Sequence, residues 1–381
     1  MKIVASLFLL VLIGSAAADF ASLTGKIRSL NVSRGEKVRD YEVIRIPDVD
    51  PRVVVLKGVA INFVDRKNFD IDAVVFALNT FARATLQFGY FQAAAQSRGG
   101  DSNNPVRDFD ASAFGFLLRF VNVFEYVDTN GIPGFQLGQD NITGGYDLSH
   151  IALKWNIRFE DVPQTDADGK TFTVRILTAE TEDQVFALRF IVAGRPIDVD
   201  GHILRPDHSK FDLRIRWFNN SLHVPALWTT GPSTQPKAQI GIVGAYGAAG
   251  GSFSRRVDVD NNNSTEITFD AGSFKAFFKW VTDASVNIGG VVAKRLVRDF
   301  EIDIGGMPLN VEVVNNFVAG WVKRIIIHSF DGERPDEIVL DPEFGPTINY
   351  DLVDTGFGVN LTPSYLQAFV FVVLFALGMK F

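Results

Sequence analysis

The chain has 381 residues, 47 % of them apolar and 21 % charged, with a net charge of −7 and no cysteine. That balance excludes global disorder and supplies a substantial core, and the acidic excess speaks against a nucleic-acid partner. Without cysteine, a disulfide framework, zinc finger, iron–sulfur site or cysteine nucleophile is excluded.

Residues 1–18 read as a signal peptide. Lys2 gives a small positive start, Ile3 to Ile13 is an almost unbroken apolar run, and Ser15-Ala16-Ala17-Ala18 offers the small residues of a cleavage site before Asp19. Entry into the secretory pathway follows as an expectation. In that setting the Asn-x-Ser/Thr triplets at Asn31, Asn141, Asn219, Asn262, Asn263 and Asn360 are candidate glycosylation sites, each without proline in the middle position. Asn262 and Asn263 are adjacent, so steric crowding keeps both from being occupied at once.

Alternating and β-branched segments recur along the rest of the chain: Arg52–Val59, Thr171–Leu177, Val185–Val192, Phe211–Trp217, Glu266–Phe269 and Val322–Ile327. Turn chemistry separates them, at Asp128-Thr129-Asn130-Gly131, Asp166-Ala167-Asp168-Gly169, Asp198-Val199-Asp200-Gly201 and Asp331-Gly332. Short strands between Asp/Asn-Gly turns predict a mainly β fold, an antiparallel β-sandwich ectodomain. Only Phe69–Arg83 and Phe114–Val127 are long enough to be argued as helices. The polar, proline-bearing segment Thr229–Ala238 marks a boundary. It predicts two packed β-rich lobes, residues 19–230 and 239–350. The Gly/Ala-rich stretch Gly241–Gly251 reads as a flexible hairpin. A short similarity between Asp110-Ala-Ser-Ala-Phe114 and Asp270-Ala-Gly-Ser-Phe274 is the kind of trace a duplicated unit leaves.

Catalytic patterns give no assignment, so no catalytic, cofactor-binding or metal-binding residues are named. There is no Gly-x-Ser-x-Gly elbow. His150, His202, His208, His223 and His328 are not at metal-ligand spacing, and His328, after three isoleucines, reads as a structural histidine at a sheet edge. Asp258-Val-Asp260-Asn-Asn262 begins like a calcium loop, but Asn263 stands at its sixth position and Phe269 at its twelfth. Asp128-Thr-Asn130-Gly131 and Asp166-Ala-Asp168-Gly169 are likewise only the beginnings of such loops, and Asp, Asn and Gly favour turns on conformational grounds alone.

One stretch resembles a known family. Arg119-Phe-Val-Asn-Val-Phe-Glu125-Tyr126-Val-Asp128-Thr129-Asn130, the triplet at Asn141, Tyr146-Asp-Leu-Ser149 and Trp155-Asn156 are similar, in the same order, to the middle of the glycosylated lysosomal membrane protein family. Val74-Val-Phe-Ala-Leu-Asn79-Thr80 with Ala84-Thr85-Leu86, and Phe277-Phe278-Lys279-Trp280, extend the likeness across residues 50–285. The resemblance implies a β-sandwich luminal domain, glycosylation, and an accessory role that shields a lysosomal transporter. This chain departs from the family in having Val257-Asp258-Val259-Asp260 where the family has Ile-Asp-Asp-Glu-Tyr, and in lacking the family's luminal cysteines.

The hydrophobic C-terminal tail, residues 365–381, contains the uncharged run Ala368 to Met379. A spanning helix needs about 20 apolar residues. Small residues at Asp354-Thr355-Gly356, a spacer and a short apolar tail form the pattern of a glycolipid anchor signal; a short membrane segment and a buried strand stay open. The expected function is therefore a non-enzymatic glycosylated ectodomain, on the lysosomal luminal side of a membrane or at the cell surface. Its expected partners are a membrane protein such as a transporter, the membrane through the tail, and a second copy in a homodimer. The alternative is a secreted or surface carbohydrate-active enzyme or lectin on a β-sandwich.

Overall fold

The computed structural model describes residues 23–32, 38, 40–45, 53–63, 69–79, 87–99, 106–148, 153–206, 208–216, 238–249, 252–258, 264–271, 274–281, 283–302, 321–330, 332, 335–340 and 342–346. The expected signal segment 1–18 and the hydrophobic tail 365–381 lie outside them, as do Asn219, Asn262, Asn263 and Asn360. The described chain is mainly β and antiparallel, without an α-helix. A single 3-10 turn, Thr24–Lys26, is its one helical element.

The first sheet begins with four meandering strands, β2 (Asp40–Arg45), β3 (Val53–Phe63), β4 (Phe69–Asn79) and β5 (Gln87–Gly99). The long β6 (Val106–Val127) follows, paired first to β5 and then, further along, to β7 (Asn141–Asp147). On its other edge β6 pairs with β14 (Gln239–Ala249), which pairs with β20 (Trp321–Phe330), which pairs with β19 (Val291–Ile302). The second sheet runs β8 (Trp155–Thr165), β9 (Thr171–Thr181), β10 (Phe186–Ala193), β13 (Ser209–Arg216). Beyond β13 lie β21 (Glu337–Leu340) and β22 (Pro342–Pro346), end to end along its edge. β21 leads to β18 (Asp283–Ile288), and β22 leads through β17 (Phe274–Val281) and β16 (Ser264–Ala271) to β15 (Ser252–Asp258). The β18–β19 hairpin joins the two sheets. Followed strand by strand, the pairings branch but never return to their start, so the described strands form an open sandwich rather than a closed barrel. A third sheet, β1 (Ile27–Ser29), β11 (Ile197–Val199) and β12 (His202–Leu204), pairs strand to strand with neither.

Thr229 to Lys237 lie outside the described residues, but strands on either side of them pair with each other. β14 completes the first sheet beside β6, and β21 and β22 extend the second beside β13. Described strands from 19–230 and from 239–350 therefore pair within both sheets, so the expected boundary does not divide the pairing. The short sequence similarity is not a structural repeat either. Residues 110–114 run through the middle of β6, whereas 270–274 pass from the end of β16 to the start of β17.

Aromatic rings fill the space between the sheets. Phe88 on β5 meets Phe190 on β10 at 5.3 Å and Phe211 on β13 edge-on at 4.6 Å between centroids. Tyr246 on β14 faces Phe278 on β17 at 5.5 Å, and Phe278 continues to Trp280. Each fully buried ring of this kind contributes about 1.5–3 kcal/mol through removal from water, which lets a cysteine-free chain hold together by burial. A second cluster, with Val174, Ile176 and Ile191, packs the opposite face of the second sheet against Ile27, Ile197 and Leu204. A third, with Phe124, Tyr126, Val243 and Ile325, lies under Phe135 of the loop that follows β6.

Both segments arguable as helices are strands where described, Phe69–Asn79 of the first and all of the second. In β6 the reason is a β-bulge: Phe120 pairs with Gly244 and Asn122 with Val243, so Val121 is an extra residue. Before it Leu118 and Phe120 point into the main core; after it Val123 does, while Phe124 and Tyr126 turn to the other side. A bulge of this kind breaks the period of two that would have marked a strand.

The glycine-rich stretch is also ordered, as β14 in the interior of the first sheet. Its glycines make room for rings: a methyl group at Gly241 would sit 2.4 Å from Cζ of Phe124, and one at Gly244 would sit 2.8 Å from the ring of Tyr246. Gly241→Ala is expected to lower stability by about 1–3 kcal/mol through overpacking, read from urea unfolding. Unchanged stability would mean that the Phe124 ring moves aside freely.

Candidate functional site

The densest group of chemically capable side chains lies inside the sandwich, where four strands converge. Tyr246 of β14, His328 of β20, Asp299 of β19 and Trp280 of β17 each alternate toward the main core, and all four side chains are about 98 % buried or more. His328 Nδ1 lies 2.7 Å from Asp299 Oδ1, its Nε2 lies 2.7 Å from the Tyr246 hydroxyl, and Trp280 Nε1–H donates to Asp299 Oδ2 at 3.2 Å. The Trp280 ring meets His328 edge-on at 4.7 Å.

The direction of these hydrogen bonds follows from the chemistry. Burial, and secondarily the charge of Asp299, hold the Tyr246 phenol well above its ordinary pKa, so the hydroxyl keeps its proton. A carboxylate only accepts, so His328 Nδ1 carries the proton that it gives Asp299, and in the neutral tautomer Nε2 accepts from Tyr246. The order acid–histidine–hydroxyl is that of a hydrolytic triad, but the hydroxyl belongs to a tyrosine packed between Phe278 and His328. The arrangement orients Tyr246 and ties four strands from both sheets together. His328 is thus interior rather than at a sheet edge, because β20 lies between β14 and β19.

A second charged group lies on the face of the second sheet turned away from the main core. Burial by itself would raise the Asp212 carboxyl, but Lys210 and Arg189 outweigh it and hold its pKa below the ordinary value. Both cations bond it directly, Arg189 Nε at 2.6 Å. Next to them Arg214 bonds Glu180, and Arg216 Nε bonds Glu337 at 3.0 Å. Burial, then Arg216, lower the Arg214 pKa, while Glu180 and Glu337 oppose the shift. Because β13 carries Phe211, Leu213 and Ile215 on one face and Lys210, Asp212 and Arg214 on the other, all of them buried, it is buried on both sides. A cleft of about 270 Å³ opens nearby, lined by Leu23, Arg158, Phe159, Glu160, Ile176, Thr178 and Arg189. It has one carboxylate and no tryptophan, unlike the paired carboxylates of a glycosidase.

The acidic turns are occupied by their own backbone. Asp128 Oδ1 accepts from the N–H groups of Asn130 (3.0 Å) and Gly131 (2.7 Å), and Asp140 accepts from those of Thr129 (3.2 Å) and Gln136 (2.6 Å). Asp166 accepts from the Lys170 N–H at 2.8 Å and pairs with Arg195, and Asp198 accepts from the Gly201 N–H at 2.6 Å. The Asp128–Asn130 contact is an Asx turn, and the other carboxylates fasten loop backbone. Among the described residues no group of three or more His, Asp or Glu is placed to hold a metal ion. Residues 259–263 of the third calcium-like stretch lie outside those residues, as do His150 and His223.

Of the candidate glycosylation sites, Asn31 and Asn141 are described, and both side chains are exposed. Asn141 opens β7 opposite Val127. The relay was missed from sequence because Tyr246 and Asp299 lie 82 and 29 residues from His328; the one available signal was a histidine set in an apolar strand. The chain matches no protein-family model, no curated protein and no solved structure.

Proposed function

We propose that the chain is a non-enzymatic, glycosylated β-sandwich ectodomain that binds or shields a membrane protein, as an accessory subunit of a transporter would. The exposed Asn141 side chain carries this reading: it opens an edge of the first sheet, where a glycan covers backbone without entering the core. The buried relay supports it, since the groups best suited to catalysis are committed to joining the sheets. The likeness to the glycosylated lysosomal membrane protein family points the same way, toward the lumen of the secretory pathway or lysosome, and residues 365–381 would supply the tether. The cleft beside Arg158 and Glu160 offers nothing that favours the carbohydrate-active alternative.

The test is a mass measurement. Treating the protein from eukaryotic cells with an amide-cleaving glycosidase is expected to lower its apparent mass by several glycans' worth, and Asn31→Gln and Asn141→Gln are each expected to remove one step. An unchanged mass would overturn the luminal reading.

A further inference from the structure

The β18–β19 hairpin carries a second, separate feature. Its turn is Gly289-Gly290, with φ of 59° and 84°, the left-handed pair of a type I′ hairpin. The turn is fastened from the side: Asp336 Oδ2 accepts from the Gly289 N–H at 2.6 Å, and the Asp336 N–H donates to the Asn287 carbonyl at 2.8 Å. Directly after this stiff turn stand Val291 and Val292, 69 % and 67 % exposed, the two most exposed large apolar side chains among the described residues. Being consecutive on a strand, they point to opposite faces. Lys294 and Arg295 follow, both exposed, and again on opposite faces.

We infer that this hairpin tip is a membrane contact, in which Val291 and Val292 enter the interfacial layer of an anionic bilayer while Lys294 and Arg295 hold its headgroups. A groove on a protein covers one face of a strand, but both faces of this tip are apolar at the end and basic one step behind. Only a medium that surrounds the tip satisfies both valines together, and the apolar-then-basic order matches the depth profile of a bilayer interface. The charge at the tip opposes that of the whole: the chain is acidic overall, Asp283 sits further back on the hairpin opposite Leu296, and Asp336 and Glu337 beside it are bonded to Gly289 and Arg216. The inference goes beyond the proposed function, because it needs a membrane within reach and not the tail.

The absence of native cysteine makes the test direct. The full chain carrying Val292→Cys, labelled with a nitrobenzoxadiazole fluorophore, is mixed with phosphatidylcholine vesicles with and without phosphatidylserine. A blue-shifted, brighter emission is expected on the anionic vesicles, weakening with salt. The same label at Ile203→Cys, 61 % exposed on β12, is expected to remain in water. Adding Lys294→Glu and Arg295→Glu is expected to raise the lipid concentration for half-maximal shift roughly tenfold or more. Val291→Cys serves as a second labelled position. Protein that sediments with vesicles while labels at 291 and 292 stay aqueous overturns the inference and leaves tethering untouched. An equal shift at Ile203, or a shift indifferent to the charge reversals, also overturns it. A normal shift on protein that carries no glycan would instead overturn the ectodomain reading alone.

Discussion

Replacing Asp299 with alanine is expected to destabilise the fold by about 2–5 kcal/mol, because two buried donors, His328 Nδ1 and Trp280 Nε1, lose their acceptor at once. Tyr246→Phe is expected to cost less, about 1–2 kcal/mol, since it removes only the last donor of the relay and leaves the ring packing with Phe278 in place. The order of the two effects is the informative part. Equilibrium unfolding in urea, followed by tryptophan fluorescence, measures both. A tyrosine variant that loses more than the aspartate variant would mean that the relay is anchored at Tyr246 and that Asp299 is incidental.

The second large effect belongs to Asp212. Asp212→Ala leaves Arg189 and Lys210 buried without their shared carboxylate, at an expected loss of about 3–5 kcal/mol. The pH dependence has a definite sign. The folded pKa of Asp212 is lowered, so its stabilising contribution is fully present above the ordinary aspartate value of about 4 and disappears as pH falls through the lower folded value. The stability gap between the native protein and the Asp212→Asn variant is therefore expected to stay constant from neutral pH down to about 4 and to narrow below it. A gap that closes between pH 7 and 5 would contradict the assignment. A lumen of mildly acidic pH leaves this bond intact.

What was legible in the sequence was local. Asp166-Ala-Asp168-Gly169 turns β8 into β9, and Asp200-Gly201 turns β11 into β12 with φ of 55° and 87°, because the required left-handed backbone has a chemical signature. The strands at Thr171, Val185 and Phe211 were legible for the same reason, as alternation or β-branching is visible within a few residues. Pairing partners were not. Nothing in β6 announces that β14 will lie beside it, since that choice depends on the fit of Phe124 over Gly241. The glycines of β14 suggested flexibility because they leave space: Gly241 for the Phe124 ring on another strand, and Gly244 for the ring of Tyr246 two residues on. The extra residue at Val121 hid the longest strand by breaking its period. The buried relay shares this cause: its members lie on four strands, and only the finished sandwich brings them into one line.

The interleaving of the sheets also sets a timetable for synthesis. The far edge of β6 waits for β14, and the Tyr126 hydroxyl waits for Gln239, 113 residues later in the chain. β13 waits as long for β21. A chain emerging residue by residue therefore cannot close either sheet until nearly all of it is through, and such long-range closure is intrinsically slow. In the finished fold the Thr143 hydroxyl oxygen of the Asn141-Ile142-Thr143 triplet is buried. If the proposed glycosylation holds, an enzyme that must read both the asparagine and the hydroxyl would meet them together only before β7 pairs with β6. Because β6 and β7 are neighbours in the chain, that pairing can form while the long-range closures are still pending, so under the proposed reading modification at Asn141 would have to precede even this first local step.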